Sequence, residues 1–384
     1  MKTYGATLSS EELERFLAHS MTRNLALAEQ GERGIPICVW GSHGIGKTET
    51  VMSFAQKNGY AVVYCAPAQF EEMSDLHGLP EIYDPTPELP NNGDEVTLYR
   101  QPAWLKGALD HVDPSTPGLL ILDDFNRADS RILQGCMQLL QMHSLFSWKL
   151  PDHWQIVLTA NPEHGPYKVT EMDDAMITRM LHVTMTFNAP CWSKWALSAG
   201  LDSRGVEFVL TYPELISGGR TTARSFTHFL RQIGDLSDST SEEKQWLIRV
   251  LGEGTVEPDV IAKLVYFLHT EQPELIDPLE VLTSKNIKEV LARLSSQLFR
   301  EGARRQQLLA TICKRLELYL TSPEYRYEAQ HKKNLVAFLL NPDMDASLRF
   351  ALHGALSYEQ RHNPEVGKVL RDKKLAQAIL GSLA

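Results

Sequence analysis

Close to its N-terminus the chain contains the octapeptide Gly41-Ser42-His43-Gly44-Ile45-Gly46-Lys47-Thr48. The octapeptide fits the pattern G-x-x-x-x-G-K-[ST], a loop whose backbone N–H groups cradle nucleotide phosphates. Its surroundings also fit, because residues 35–40 form an apolar run typical of a buried strand and residues 49–56 resemble the start of a helix. We therefore expect all eight residues to hold a nucleotide, with Lys47 on the β- and γ-phosphates and Thr48 on Mg²⁺. The side chain of His43 is given no role of its own.

Composition places the chain among ordinary globular proteins. It has 384 residues, of which 43% are apolar and 22% charged. No run of 18 apolar residues is present, so no membrane-spanning helix is expected, and the N-terminus lacks the apolar core of a signal peptide. The five scattered cysteines form no C-x-x-C pair, which indicates buried thiols in a reducing, cytoplasmic compartment. The net charge of −10 argues against extended contact with a nucleic-acid backbone.

The order of apolar runs predicts an α/β domain. Strand-like runs occur at residues 35–40, 61–65, 119–123, 156–160 and 181–187, and the intervening segments are long enough for helices. This alternation predicts a mainly parallel sheet covered by helices. After Pro190 the strand signal fades and helical patterns dominate, for example over residues 262–268, 286–299 and 306–320. Residues 84–94, rich in Pro, Asn and Gly, are predicted to form a loop.

Two carboxylates follow the apolar run 119–122. Asp123 occupies the position of an acid that helps to hold Mg²⁺ at the end of a buried strand. Asp124 lies where γ-phosphate hydrolysis needs a base or a water-orienting acid. A solvated turn is the alternative explanation of an Asp-Asp pair, and the P-loop upstream disfavours it.

A polar amide ends the run 156–160. Asn161 would reach the same edge of the sheet as Asp123 and could bond a γ-phosphate oxygen or the attacking water. The alternative is a local turn in which Asn161 bonds its own backbone before Pro162.

Together these residues resemble the AAA+ ATPases, and among them the MoxR group. The resemblance covers roughly residues 10–285 and rests on four stretches in the same order as in the family. These are "QFEEMSDLHGLPEIYD" at 69–84, "LLILDDFNRA" at 119–128, "VLTANPEHGPYKVTEMDDAMITRM" at 157–180 and "GGRTTARSFTHFLRQI" at 218–233. It implies an AAA+ nucleotide-binding domain over residues 1–190 and an all-helical lid over 191–285. The helical patterns beyond the resemblance predict a helical C-terminal extension over 286–384.

The resemblance also assigns two arginines. Arg179 matches the arginine finger, which in the family reaches a nucleotide on the neighbouring subunit. The alternative for Arg179 is a surface ion pair with Asp173 or Asp174. Arg224 matches the sensor 2 arginine of the lid, although the nearby Arg220 could take that role.

The family implies ATP and Mg²⁺ as ligands, assembly into a ring, commonly a hexamer, and chaperone-like remodelling of protein partners that contain a von Willebrand A domain. One residue departs from the family: it usually has Glu after the first acid, and this chain has Asp124. A carboxylate that is displaced by one methylene can slow hydrolysis about a hundredfold. A nucleotide-dependent scaffold with little hydrolysis therefore stays open. A separate alternative is a nucleic-acid-directed ATPase that uses the basic residues Arg300, Arg304, Arg305, Lys314 and Arg315, although these residues are also explained by the solvated face of a tail helix.

Overall fold

The computed structural model describes most of the chain. The residues described are 4–83, 96–110, 112–113, 115–163, 168–216, 219–236, 239, 241–270, 276, 278–300, 303–304, 306–321, 325–361 and 363–370. The loop predicted at 84–94 lies outside the described residues, as does the end of the predicted C-terminal extension. The chain divides into two compact units, one formed by Met1–Asn188 with Thr222–Arg224 and the other by Ala189–Thr221 with Ser225–Ala384.

The first unit is built on a parallel sheet. Its strands are β1 (Ala6–Leu8), β2 (Ile37–Trp40), β3 (Ala61–Cys65), β6 (Gly118–Leu122), β9 (Trp154–Ala160) and β10 (Leu181–Met185), which lie in the order β1-β10-β2-β9-β6-β3. All neighbouring pairs in this sheet are parallel. Two antiparallel hairpins stand apart from it: β4 (Pro80–Tyr83) with β5 (Val96–Tyr99), and β7 (Ser144–Leu145) with β8 (Trp148–Lys149).

Helices cover both faces of the sheet. They are α1 (Ser10–Glu29), α2 (Lys47–Lys57), α3 (Met73–His77), α4 (Ala103–Leu109), α5 (Ser130–Met142) and α6 (Asp174–Ile177), with 3-10 turns at Pro67–Gln69 and Phe125–Arg127. Helix α1 begins directly after Ser9, because the Ser9 hydroxyl and the Glu12 carboxylate each accept a hydrogen bond from the other residue's backbone N–H.

Alternation along the strands separates two apolar layers. Ile37 and Val39 pack with residues of α1 and α2, whereas Cys38 and Trp40 pack with residues of α5. Both layers are buried, so the strands are apolar on each side, as expected for a parallel sheet with helices on both faces. Parallel strands end at the same edge, and we name the two edges accordingly. The carboxyl edge is where β2, β6 and β9 end, and the amino edge is where they begin.

The second unit is almost entirely helical. Its elements are α7 (Ala189–Ser198), α8 (Ser203–Thr211), a 3-10 turn (Pro213–Leu215), α9 (Ala223–Ile233), α10 (Glu242–Thr255), α11 (Pro258–Thr270), α12 (Pro278–Thr283), α13 (Ile287–Leu298), the hairpin β11 (Phe299–Arg300) with β12 (Ala303–Arg304), α14 (Gln306–Leu320), α15 (Ala329–Leu339), α16 (Ala346–Glu359) and α17 (Pro364–Leu370). Buried residues from α12 to α17 share one apolar cluster, which includes Leu282, Leu316 and Leu335.

The predicted fold class is confirmed: a mainly parallel α/β core precedes a helical C-terminal part. The five predicted strands are all present, whereas the three-residue edge strand β1 was not predicted. The division of the helical part at 285/286 stays a prediction. Among the described helices, none combines the length and apolar character that a membrane span requires.

Candidate functional site

The octapeptide forms the turn between β2 and α2. Gly46 caps α2 with φ of +97°, a left-handed conformation that glycine adopts without strain. Gly44 also has positive φ, +70°, and a Cβ placed there would lie 2.5 Å from the Thr222 hydroxyl oxygen. Side chains at these two positions would therefore distort the loop or clash with its neighbour. The loop accordingly presents backbone to its surroundings at the N-terminus of α2, the arrangement that favours anions.

Lys47 is the buried cation of this loop. Its side chain is 6% exposed, and its ammonium donates to the carbonyl oxygens of Gly41 at 2.8 Å and Ser42 at 3.1 Å. It also contacts the Asn161 side-chain oxygen at 3.3 Å. Burial lowers the pKa of Lys47 to about 8, and the charges of Asp124 and Asp123 oppose that fall. The positive charge of Lys47 therefore depends on the neighbouring carboxylates.

The Asp123 carboxylate accepts hydrogen bonds from three hydroxyl groups. The Thr48 hydroxyl donates to its Oδ1 at 2.5 Å and the Thr159 hydroxyl to the same oxygen at 2.7 Å, while the Tyr64 hydroxyl donates to its Oδ2 at 2.8 Å. Burial acts to raise the pKa of Asp123, but the three hydrogen bonds outweigh it and the pKa falls below its usual value. The carboxylate is therefore ionised and fixed in orientation beside Thr48.

Asp124 follows Asp123 at the end of β6 and interacts with Lys47 through its charge. It has φ of +46°, a left-handed conformation that Asp tolerates better than most residues. Its Oδ1 accepts from the Asn161 amide at 2.8 Å, and its Oδ2 pairs with the Arg127 Nε at 3.1 Å. Asn161 therefore bonds both Asp124 and Lys47, and it joins the acid to the P-loop through one amide.

Asn126 holds Asn161 in place. Its side-chain amide donates to the Asn161 carbonyl at 2.8 Å, and its Oδ1 accepts from the Asn161 N–H at 3.0 Å. Asn126 is completely buried, and its own carbonyl accepts from the Thr170 N–H at 2.8 Å. A local turn does not account for Asn161, because its side chain bonds residues distant in sequence.

These residues fit a nucleotide with Mg²⁺. A hydroxyl oxygen of Thr48 and a carboxylate oxygen of Asp123 meet at one point, and oxygen ligands of this kind are those that Mg²⁺ takes. The backbone-lined turn, the helix N-terminus and the Lys47 ammonium together suit the phosphates. Among the described residues no group of three His, Cys, Asp or Glu side chains offers a different kind of metal site.

Arg224 lies near the P-loop. Its N–H donates to the Gly44 carbonyl at 2.9 Å, and its charge acts to lower the pKa of Lys47. Its side chain is exposed. Arg220 is bonded differently, because its guanidinium donates to the Glu253 carbonyl at 2.7 Å and its N–H to the Glu257 carboxylate at 2.6 Å. The sensor 2 role of Arg224 stays a prediction. The alternative, Arg220, has a guanidinium that is bonded to the Glu253 carbonyl.

Arg179 is not part of this cluster. Its Nε donates to the Gln141 side-chain oxygen at 3.2 Å, and its Nη1 donates to the Ala175 carbonyl. The parallel register pairs Leu181 with Ile37, so Arg179 lies at the amino edge, whereas the P-loop follows β2 at the carboxyl edge. Four residues of strand span about 13 Å. Asp173 instead caps α6, where it accepts from the Met176 N–H at 2.8 Å.

Two residues of the site were missed in the sequence. Thr159 carried a usable signal, because it is a polar residue in an apolar strand two positions before Asn161. Tyr64 carried none, since its contact with Asp123 depends on β3 pairing with β6 in the register Tyr64↔Ile121. Burial and the bond to Asp123 raise the pKa of Tyr64 to about 12, so it remains a proton donor to that carboxylate.

No protein-family model matches the chain, and no curated protein matches it. Among solved structures it is similar to a point mutant of Thermotoga maritima RuvB, with a TM-score of 0.37, 11% identity, and coverage of 79% of this chain and 88% of that one. It is also similar to the T. maritima RuvB Holliday junction branch migration motor, with a TM-score of 0.33, 11% identity, and coverage of 77% and 86%. At such low TM-scores these similarities carry no inference about function.

Proposed function

We propose that this chain is an ATP-binding and ATP-hydrolysing AAA+ protein, similar to the MoxR group, that assembles into a ring and remodels protein partners. The observation that carries the proposal is the continuous set of contacts among Lys47, Thr48, Asp123, Asp124 and Asn161 at the carboxyl edge. Three separate stretches of sequence supply these five side chains. A solvated Asp-Asp turn and an isolated glycine-rich turn would not bring them together.

Each side chain has a distinct chemical use. Lys47 places a positive charge against the phosphates, and Thr48 and Asp123 would hold Mg²⁺, which supplies charge neutralisation on the phosphate oxygens. Asp124, whose charge acts on Lys47, would orient the attacking water or accept the proton of that water near the γ-phosphate. Asn161 fixes the Asp124 carboxylate through its amide.

The position of Arg179 supports ring assembly. A guanidinium near the γ-phosphate contributes about a thousandfold or more to the rate, and Arg179 lies at the edge opposite its own P-loop. Head-to-tail contacts that close give rings, and in a ring Arg179 would serve the neighbouring subunit. A hexamer in the cytoplasm, acting on a partner with a von Willebrand A domain, is the form the family resemblance favours.

The alternative functions gain less support. In the second unit Arg315 forms a buried ion pair with Glu207 at 2.8 Å, and Lys314 pairs with Glu317 at 2.5 Å. These two residues are therefore matched by carboxylates, which leaves less charge for a nucleic acid. A scaffold with little hydrolysis stays open because Asp124 is shorter than the Glu of the family.

Substitution of Lys47 tests the proposal. Lys47→Ala should abolish measurable ATP binding and phosphate release, because the backbone amides alone hold phosphates weakly. Lys57→Ala is the matched control: Lys57 ends the same helix and forms an exposed ion pair with Glu14 at 2.7 Å. We expect the control to match wild type in titration calorimetry with ATP and Mg²⁺ and in phosphate release.

Each possible outcome decides between the functions. Equal ATP affinity in Lys47→Ala and wild type would remove the P-loop assignment. Normal binding with no phosphate release in wild type, even at protein concentrations that give rings, would favour the scaffold. Tight, salt-sensitive binding of DNA that stimulates phosphate release would favour the nucleic-acid-directed ATPase.

A further inference from the structure

A cavity of about 400 Å³ opens at the amino edge of the sheet. Its wall is formed by the loop before β2 (33–36), the end of α5 (140–141) and the residues before β10 (178–179). Arg179 lies in this wall, and so does a second arginine, Arg33. The two arginines come from segments that are about 146 positions apart in sequence, and the parallel pairing of β2 with β10 brings those segments together.

The charged side chains that line this cavity, among the described residues, are all positive. Arg33 and Arg179 are its only ionisable lining residues among those that the structure describes, and no carboxylate lines it. This contrasts with the whole chain, in which acidic residues exceed basic ones by ten. Like charges that face one cavity repel each other, so such an arrangement is stabilised when an anion binds between them.

The donors at the cavity are only partly used. A guanidinium has five N–H donors, and for Arg179 the structure gives two bonds, to Gln141 and to Ala175. For the exposed side chain of Arg33 it gives no hydrogen bond or ion pair with any described residue. Gln141 accepts from Arg179 with its oxygen and carries two further N–H donors on the same amide. Several donors suited to phosphate oxygens therefore meet at one place.

We propose that Arg33 is a second arginine finger, which together with Arg179 binds the phosphates of a nucleotide held by the neighbouring subunit. This inference rests on the ring assembly of the proposed function. The two guanidiniums approach the phosphates from the same subunit, and the bonds to Gln141 and Ala175 restrain the guanidinium of Arg179 in the wall of the cavity. Arg33 is not identified by the family resemblance, since it precedes β2 on a loop that carries no motif.

Alanine substitution at Arg33 tests the inference. At protein concentrations too low for rings, Arg33→Ala should bind ATP as wild type does, because its own P-loop is intact. Under conditions that give rings it should lose about tenfold to a hundredfold in turnover, the size expected for one charge-assisted bond. ATP should also promote its assembly less, so that sedimentation shows rings only at about tenfold higher protein concentration. Arg33→Lys should recover part of both losses. Arg23→Ala, an exposed arginine of α1 outside the cavity, is the matched control and should equal wild type.

Mixed rings determine on which side of the interface Arg33 acts. An Arg33→Ala subunit beside a Lys47→Ala subunit has an intact P-loop and receives both arginines from its neighbour, so this mixture should regain turnover. A mixture of Arg33→Ala with Arg179→Ala should regain none, because every interface lacks one arginine. If Arg33 instead served its own nucleotide, the second mixture would recover and the inference would be wrong.

The remaining outcomes separate this inference from the proposed function. Wild-type turnover and assembly in Arg33→Ala, with Lys47→Ala inactive, would overturn the second finger alone. Loss of ATP affinity in Arg33→Ala at protein concentrations too low for rings would also overturn it, because the residue would then act within its own subunit. A wild-type chain that neither binds nor hydrolyses ATP would overturn both.

Discussion

The two edges of the parallel sheet both present positive charge, but in opposite ways. At the carboxyl edge Lys47 is buried, bonded to three oxygens and accompanied by Asp123 and Asp124. At the amino edge Arg33 and Arg179 line an open cavity without any carboxylate among its described lining residues. Lys47 is therefore buried with two carboxylates nearby, whereas Arg33 and Arg179 line an open cavity that no described carboxylate lines.

In the ring proposed above, this difference would decide which half of a composite site each edge supplies. The enclosed lysine belongs to a site that a single subunit builds by itself. Among the described residues that line the cavity no carboxylate accompanies Arg33 and Arg179, and the length of β2 separates them from their own P-loop by about 13 Å. A subunit would therefore bind nucleotide at one edge and complete a neighbour's site with the other.

The largest effect is expected when Arg179, at the amino edge, is replaced. Arg179→Ala should bind ATP normally and lose about a thousandfold in turnover, because a guanidinium that stabilises the transferring phosphoryl group contributes that much. Calorimetry and phosphate release measure the two quantities, and Arg23→Ala is again the control. A surface ion pair would cost little activity when removed.

Mixing separates a finger that acts across the interface from one that acts within its subunit. Arg179→Ala and Lys47→Ala are each expected to be inactive, but an Arg179→Ala subunit beside a Lys47→Ala subunit has a complete site. Partial recovery on mixing is therefore expected. If subunits demonstrably exchange and no activity returns, the amino edge does not serve a neighbour.

The next prediction concerns the acid at the carboxyl edge. Asp124→Asn should lower turnover about a hundredfold, because an amide cannot accept the proton of the attacking water. ATP affinity should change little below pH 7, where Lys47 is protonated. Asp124→Glu should match or exceed wild type if the short side chain limits the rate. Asp152→Asn, an exposed partner of Lys149, is the control.

Phosphate release by these variants decides the role of Asp124. Wild-type turnover in Asp124→Asn would show that another group activates the water, and the contacts of Asp124 with Asn161 and Arg127 would then be structural. A large loss of turnover in Asp124→Glu would show that Asn161 and Arg127 can position the aspartate carboxylate but not the longer glutamate side chain.

Local sequence signals predict the strands that end at the carboxyl edge and the polar residues that follow them. The P-loop glycines and the apolar runs before Asp123 and Asn161 locate strands that end in polar groups, and parallel strands necessarily end together. The strand β3 at residues 61–65 was predicted to the residue. These features depend on short windows of sequence, in which hydrophobic periodicity and turn residues are informative.

The remaining features depend on which strands are neighbours. Tyr64 reaches Asp123 only because β3 lies beside β6, and Arg33 and Arg179 line one cavity only because β10 lies beside β2. No local pattern encodes these pairings. The edge strand β1 was missed for a related reason, since three residues are too few to show alternation and its pairing with β10 defines it.

The smallest expected effect is a pH dependence that distinguishes the edges. Lys47 has its pKa lowered to about 8 by burial, whereas arginine stays charged throughout the working range. Phosphate binding favours protonated Lys47, so ATP binding above pH 8 requires proton uptake and the affinity must fall as pH rises. Between pH 7 and pH 9 we expect about a tenfold loss of affinity. Calorimetry in two buffers of different ionisation enthalpy should show an uptake of close to one proton at pH 9 and little at pH 7.

Asp124→Asn sharpens this test, because the Asp124 charge is the largest of those that support protonated Lys47. Removing that charge should lower the pKa of Lys47 further, so the fall in affinity should begin at a lower pH than in wild type. Asp152→Asn should leave the onset unchanged, since its partner Lys149 lies on the hairpin strand β8. The defect of Arg179→Ala should be equally large at pH 7 and pH 9 once ATP is saturating, because a guanidinium does not titrate there. Constant ATP affinity from pH 7 to pH 9 would mean that Lys47 keeps its proton despite burial, and the contrast between an enclosed, titratable edge and an open, permanently charged one would then be lost.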